Sequence, residues 1–283
     1  MIVQSRLDPL LRLLKYVFLG ALIVVLLFPI YALVLASFRP GRDLMRYGIS
    51  FANLVPNVWD GKNFFNLLVD RGGRYLIWFG NSVFLSALQT TVSLALSSFV
   101  GYGLGVYHFR GRNGLLMLVL FVMMVPLQIL ILPLYTLMIG LGTMNTYWGV
   151  LLPFVVSPFA IFFFRQYAVS IPKDYLDAGR IDGLGEYSIF FRIITPLMAP
   201  AFGAMAILTA QQSWNSFLWP LIVMRTPEMY TLPIGLNSLL TPYGNNYDTL
   251  IAGSCLATIP LIVLFVIFQR YFISGLSTGG IKG

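Results

Sequence analysis

The sequence predicts an all-α integral membrane protein: six transmembrane helices, both termini inside, and a charged helical segment between spans four and five. Three observations lead to that class. The chain is 58% hydrophobic and 10% charged, with a mean hydropathy of +0.82, whereas soluble domains carry roughly a quarter charged residues. Its uncharged runs exceed the ~20 residues that a helix needs to cross a bilayer. The basic residues behind a net charge of +8 sit mostly at the ends of those runs. There they set topology rather than bind nucleic acid.

The first span is expected over residues 16–38, after Arg6, Arg12 and Lys15. It is too long for a signal-peptide core and lacks a small-x-small cleavage site, so it reads as a retained helix. The second is expected over 76–107. Spans three and four share the stretch between Arg112 and Arg165, on the order of 50 uncharged residues and enough for two crossings. Glycines and small polar residues put the turn between them at 140–146. Pro126, Pro133, Pro153 and Pro158 predict kinks or breaks in these two spans. The fifth span is expected over 200–223 and the sixth over 250–268, ending at Arg270. An inside N-terminus then puts the 108–112 loop, the 165–192 loop and the Arg270/Lys282 tail inside, and leaves the 140–146 turn outside and uncharged. The outer 39–74 loop opposes that vote, with Arg39, Arg42, Arg46, Lys62, Arg71 and Arg74 against Asp43, Asp60 and Asp70. The single cysteine, Cys255, lies in an apolar run and reads as a packed, inert thiol. By organisation the chain divides into 1–75, 76–273 with its charged loop at 172–196, and a tail at 274–283.

Within the spans, Ser93, Ser97, Gly101 and Gly105 recur every four residues and share one helix face. Small residues at that spacing let membrane helices approach closely, either within the chain or at a subunit interface. Gln128 in the third span, and Gln211, Gln212, Trp214, Asn215 and Trp219 in the fifth, need hydrogen-bond partners in hydrocarbon. Two readings stand: bonding between helices, or lining a path for a hydroxylated solute, since amides beside aromatic faces suit sugars. The spans hold no carboxylate or lysine of the kind that ion-coupled carriers place there, which argues against secondary transport.

The charged segment carries Asp174, Asp177, Asp182 and Glu186 among Arg165, Lys173, Arg180 and Arg192. Pro172 suits a first helical turn, and Asp174 and Asp177 suit the positive end of that helix. Asp182-Gly183 followed by Gly185 is a turn signal, and a second short helix is expected over 186–194 before Pro196 and Pro200. The result is a helix–turn–helix with Leu184 at its tip.

Those residues carry a resemblance. Pro172-Lys173, the run 177–183 (Asp-Ala-Gly-Arg-Ile-Asp-Gly), Phe190, Arg192-Ile193-Ile194, Pro196 and Pro200 resemble the EAA loop of binding-protein-dependent ABC importer permeases of type I. Ala36-Ser37-Phe38-Arg39-Pro40, Asn81-Ser82, the run from Trp214 to Leu221, Thr231-Leu232-Pro233-Ile234-Gly235 and the glycine-rich C-terminus resemble the carbohydrate branch, especially its maltose-type second permease subunit. The chain departs from the pattern where Glu-Ala-Ala is Asp177-Ala178-Gly179 and where Leu184 replaces the alanine after Asp-Gly. Gly179 is expected to loosen its helix by roughly 1 kcal/mol relative to alanine.

The resemblance implies a permease subunit that moves a sugar or oligosaccharide by alternating access. A coupling helix formed by Asp174, Asp177, Ala178, Gly179, Arg180, Asp182, Gly183, Leu184 and Glu186 would dock on a separate ATP-binding subunit dimer. It further implies that the tail (Thr278, Gly279, Gly280, Ile281, Lys282) runs along that dimer. Implied partners are a second homologous permease subunit, an extracytoplasmic solute-binding protein and the bilayer, in a prokaryotic cell membrane. The binding protein would dock on the 39–75 loop with Trp59, Phe64 and Phe65. The sequence contains no Gly-x-x-x-x-Gly-Lys-[Ser/Thr] motif, so ATP and Mg belong to the partner and this chain carries no cofactor. Gly101-x-Gly103-x-Gly105 sits in mid-span without a preceding strand and is not a nucleotide loop. Relatives of this kind also carry glycerol phosphate, an alternative solute, and a secondary carrier is a further alternative. A membrane enzyme is disfavoured because lone His108 has no second ligand or catalytic partner nearby.

Overall fold

The computed structural model describes residues 9–41, 61–69, 72–240 and 246–280. The described residues are helical, with no strand among them, and they form two units by contact: 1–73 with 236–256, and 74–235 with 257–283.

In the first unit, α1 (Pro9–Ser37) is an apolar helix with Pro29 inside it. Its residues 11–31 are exposed in this chain, whereas Ala32, Leu35, Ala36 and Ser37 are buried. A helix that is hydrophobic all round needs lipid or protein on every side. The chain then turns at Phe38, and Asn63 at the start of α2 (Lys62–Val69) donates to the Ser37 and Arg39 carbonyls at 3.0 and 2.8 Å. Phe64 packs on Phe38 with ring centroids 5.1 Å apart, while Phe65 stays exposed. Trp59 and most of the 39–75 loop lie outside the described residues.

The second unit is built around α3 (Arg74–Val106), a 33-residue helix. The small-residue face packs within the chain. A Cβ on Gly101 would lie 2.7 Å from the Ile161 carbonyl, and one on Gly105 would lie 3.1 Å from Ala168. Both neighbours belong to α7 (Pro158–Ser170), and Ser97 Oγ accepts from the Ser157 amide, which caps that helix. Close backbone approach is what small residues at four-residue spacing provide.

The stretches expected as spans three and four are broken, as their prolines predict, and the first more sharply than a kink. Helices α4 (Arg112–Met123) and α5 (Leu127–Gly140) meet at Pro126 with a bend of 101°. Proline removes an amide donor and disfavours helix at the residue before it, so the axis turns there. A turn over 141–146 leads to α6 (Tyr147–Leu151), a single 3₁₀ turn containing Pro153, and α7 at a bend of 44°. Asn145 holds this turn in a left-handed conformation (φ 59°), and its Oδ1 accepts from the amides of Arg225 and Thr226 at 2.8 and 3.2 Å.

The helix in the place of the expected fifth span is shorter than 200–223. Helix α8 (Asp174–Ile181) and α9 (Glu186–Leu197, with a π-helical middle at Phe190–Ile194) precede α10 (Ala199–Trp214), which is set at 76° to α9. α10 stops at Asn215, and α11 (Leu218–Val223) is a separate helix. The reason lies at Trp219: it is 1% exposed and its indole donates to the Gly149 carbonyl of α6. That attachment turns the chain off the axis of α10. The helix in the place of the expected sixth span is longer than expected: α12 (Leu232–Asn237) is followed by α13 (Tyr247–Gly280), which carries on past Arg270. A charge marks where the bilayer ends but does not end a helix. Residues 278–280 therefore extend α13, and Ile281 and Lys282 lie outside the described residues.

Motifs scattered along the sequence meet here. Asn81 donates to the Glu228 and Tyr230 carbonyls at 2.8 and 2.9 Å and accepts from the Tyr147 hydroxyl at 2.8 Å. Ser82 accepts from the Leu232 amide at 2.7 Å, and Trp78 donates to the Pro227 carbonyl. Gly235 is glycine because a Cβ there would fall 2.1 Å from the Trp78 ring.

Candidate functional site

The site is the paired helices α8 and α9. Asp174 and Asp177 occupy the first turn of α8 and Arg180 its last, the charge order that suits a helix dipole. Lys173 rather than Pro172 caps it, so the helix begins two residues past the proline. At the other end Gly183 adopts φ 77°. Its amide donates to the Arg180 carbonyl at 3.0 Å, and the Leu184 amide donates to that of Gly179 at 2.9 Å. This pair of bonds is a Schellman closure, which needs a residue that tolerates the left-handed region.

Gly179, a departure from the expected alanine, has a packing role. A Cβ there would lie 2.8 Å from Ile193 Cδ1 and 3.1 Å from Ile189 Cγ1. The missing methyl lets α8 lie against α9. Leu176, Ile189, Phe190, Ile194 and Met198 are buried in one core with Phe164 of α7 and Met205 of α10. The pair is thus held to α7 and α10 by apolar contact.

Arg180 ties the pair on its outer side. Its guanidinium contacts Glu186 at 2.8 Å and Asp177 at 3.1 Å, and the Tyr107 hydroxyl donates to Glu186 Oε2 at 2.5 Å. Donation from Arg180, then from Tyr107, holds the Glu186 carboxyl below its ordinary value, and pairing with Glu186 raises the Arg180 guanidinium. These side chains are about half exposed, so such a bridge contributes less than about 1 kcal/mol and mainly orients the loop.

The structure brings the expected loop residues together, with one change of role. Leu184 is partly buried and packs back against the core. Ile181 takes the outward position at 86% exposed, and Tyr175 and Tyr187 are exposed as well. The sequence signal for it was an apolar residue at the last helical position before Asp-Gly. Asp174, Asp177, Ala178, Arg180, Asp182 and Glu186 are also exposed.

The polar residues of the spans do not form one group. Gln128, Gln211, Gln212 and Asn215 are exposed on the chain. Neighbouring Ser213 donates to Gln89 of α3 at 2.8 Å, an interhelical bond. The Trp214 indole donates to the Ala257 carbonyl of α13 at 3.2 Å. Trp214 also lines a cavity of about 830 Å³ among α3, α10 and α13, whose walls are almost wholly apolar. Trp219, fully packed, has no face open to a passing solute.

Bent apolar helices of membrane-spanning composition, with an anchored, outward-facing helix pair, describe a multi-pass membrane protein. Residues 93–278 match the family described as binding-protein-dependent transport system inner membrane component, and the chain belongs to that family. It is a non-enzymatic membrane subunit of an ABC importer, a class that works with an ATPase and a solute-binding protein. The chain is 53% identical over 257 residues, 91% of each chain, to an arabinooligosaccharides transport system permease protein of Bacillus subtilis. It is 50% identical over 280 residues to the protein of that name from Halalkalibacterium halodurans, covering 99% of this chain and 100% of that one. A solved bacterial ABC transporter involved in import of the acidic polysaccharide alginate superposes with a TM-score of 0.81 at 23% identity, over 96% of this chain and 100% of that one, a likeness of fold.

Proposed function

We propose that this chain is the permease subunit of an ATP-driven importer for a sugar oligomer, with arabinooligosaccharides as the solute class to test first. The observation that carries the reading is full-length identity of 50% to a permease bearing that name. In this reading six spans cross a prokaryotic cell membrane with both termini in the cytoplasm, which puts α8 and α9 on the cytoplasmic face. A second, homologous permease subunit completes the pathway, and the exposed α1 supports such a partner.

ATP and Mg reside on a partner ATPase dimer. Closure of that dimer pushes α8, with Ile181 seated in a pocket of the ATPase and Asp174 and Asp177 at the rim. The motion passes through Leu176, Ile189 and Ile194 into α10, and the cavity changes the side to which it opens. The exposed amides Gln211, Gln212, Asn215 and Gln128, with Trp214, are the candidates for solute contact. In this reading the tail residues Thr278, Gly279, Gly280, Ile281 and Lys282 contact the ATPase. The 39–75 loop, with Phe65 exposed, receives the binding protein.

The test is co-purification from native membranes, followed by reconstitution and uptake of labelled solutes. Uptake of arabinooligosaccharide that requires ATP, the ATPase and the binding protein is expected. Uptake of glycerol phosphate alone, or uptake without ATP, would overturn the proposal.

A further inference from the structure

A second cavity, of about 480 Å³, lies beneath the helix pair, where α3 and α7 end. Its walls bring Arg112, Arg165, Lys173, Arg180 and His108 together with a single carboxylate, Asp177. Asp177 is already paired with Arg180 at 3.1 Å. Arg112 spends its donors on the Leu104 and Gly105 carbonyls at 2.8 and 3.2 Å, and on His108 Nδ1 at 3.0 Å. That leaves Arg165 and Lys173. The NH1 group of Arg165 bonds Gln166, but its Nε is buried and has no hydrogen-bond partner. A charged donor left unpaired in a buried place is unfavourable unless an anion meets it. The apolar side of the cavity is formed by Val106, Ala168, Val169, Ile171 and Leu176.

We propose that this cavity binds a phosphate group, that of an anionic phospholipid headgroup, and that the bound headgroup braces α8 from below. Cationic pockets between membrane helices at the cytoplasmic edge have the charge and depth for such headgroups, and the volume lies in the usual range for small-group sites. Arg165 and Lys173 supply the phosphate contacts, Arg112 adds fixed positive charge, and the apolar wall meets the first carbons of the acyl chains. The inference rests on the membrane reading of the chain but not on the identity of the solute.

The experiment uses the assembled transporter in detergent after delipidation, with thermal unfolding as the readout. Phosphatidylglycerol is expected to raise the midpoint by about 2–4 °C, as a ligand specific to the folded state does, and phosphatidylcholine is expected to leave it unchanged. Arg165→Gln and Lys173→Gln should each reduce the shift by about half or more, while Arg165→Lys keeps most of it, by the loss of one donor to phosphate. A shift with millimolar inorganic phosphate alone, lost in the same variants, supports the phosphate site and assigns it to a soluble anion. Equal shifts in wild type and in both glutamine variants overturn the proposal, as does an equal response to phosphatidylcholine. Should Arg165→Gln fail to assemble, Lys173→Gln, at an exposed position, decides the question alone. Solute uptake is measured separately on the wild type, so failure here and failure of the transport reading are distinguishable.

Discussion

Replacing Gly183 with proline attacks the joint where α8 turns into α9. Gly183 sits at φ 77°, and proline locks φ near −65°, so the turn cannot be kept. The amide that donates to the Arg180 carbonyl at 3.0 Å disappears, and reorientation breaks the Leu184 bond to the Gly179 carbonyl at 2.9 Å. Each backbone bond contributes about 1 kcal/mol net, and a misplaced proline costs about 3 kcal/mol. A local loss of at least 3 kcal/mol shifts the population of the native turn by on the order of 100-fold. The membrane helices keep their own packing, so the variant should insert and assemble. In proteoliposomes containing the complete transporter, solute moved per ATP hydrolysed should fall by about tenfold or more, on the same population arithmetic. Gly183→Ala retains the amide and costs about 1–2 kcal/mol for a left-handed residue, so its coupling should be intermediate. Normal coupled uptake by the proline variant would refute the claim that this closure transmits motion.

Ile181→Asp should weaken binding of the ATPase subunit by about tenfold or more, measured by co-purification or titration, whereas Leu184→Asp should lower thermal stability instead, because Leu184 faces the core. Gly101→Val should destabilise the chain by about 1–3 kcal/mol through overpacking, since its Cβ meets backbone of α7 at 2.7 Å; unchanged detergent resistance would count against the α3–α7 packing. Glu186 is a carboxylate held below its ordinary value of 4.5, so its contribution is present above that value and is lost as pH falls through the lower folded one. Glu186→Gln should remove that part of the acid sensitivity, read as a flatter thermal midpoint between pH 6 and 3; an identical profile in both proteins would refute it.

The helices of membrane length were legible because a charge-free run of bilayer length has few other uses, and α1, α3 and α13 fall where such runs lie. The helix pair was legible for a different reason: Asp-Gly followed by Gly marks a turn by local conformational energy alone. The end of α10 carries local signals that the span estimate passed over, Asn215, Ser216 and Pro220, while the place of the next helix is fixed by an indole bonded to a carbonyl 70 residues away in sequence. Leu184 and Ile181 are equally apolar in sequence, and only the packing of α8 on α9 turns one inward and the other outward.

The sequence by itself determined the solvent of this protein, its helical class, its family and the place of its charged joint, since composition, run length and local turn chemistry act without distant partners. Tertiary structure decided the rest: that the small-residue face serves α7, that Asn81 and Ser82 clamp the 227–235 segment, that Gly179 is a packing residue, and that Arg165 faces a cationic cavity. Each of these depends on which residues of different helices meet, and hydrophobicity, being non-directional, leaves that choice to the fit of the assembled helices. The charged segment is where the sequence suggests a grip point, and in the structure Ile181 rather than Leu184 is its exposed apolar residue.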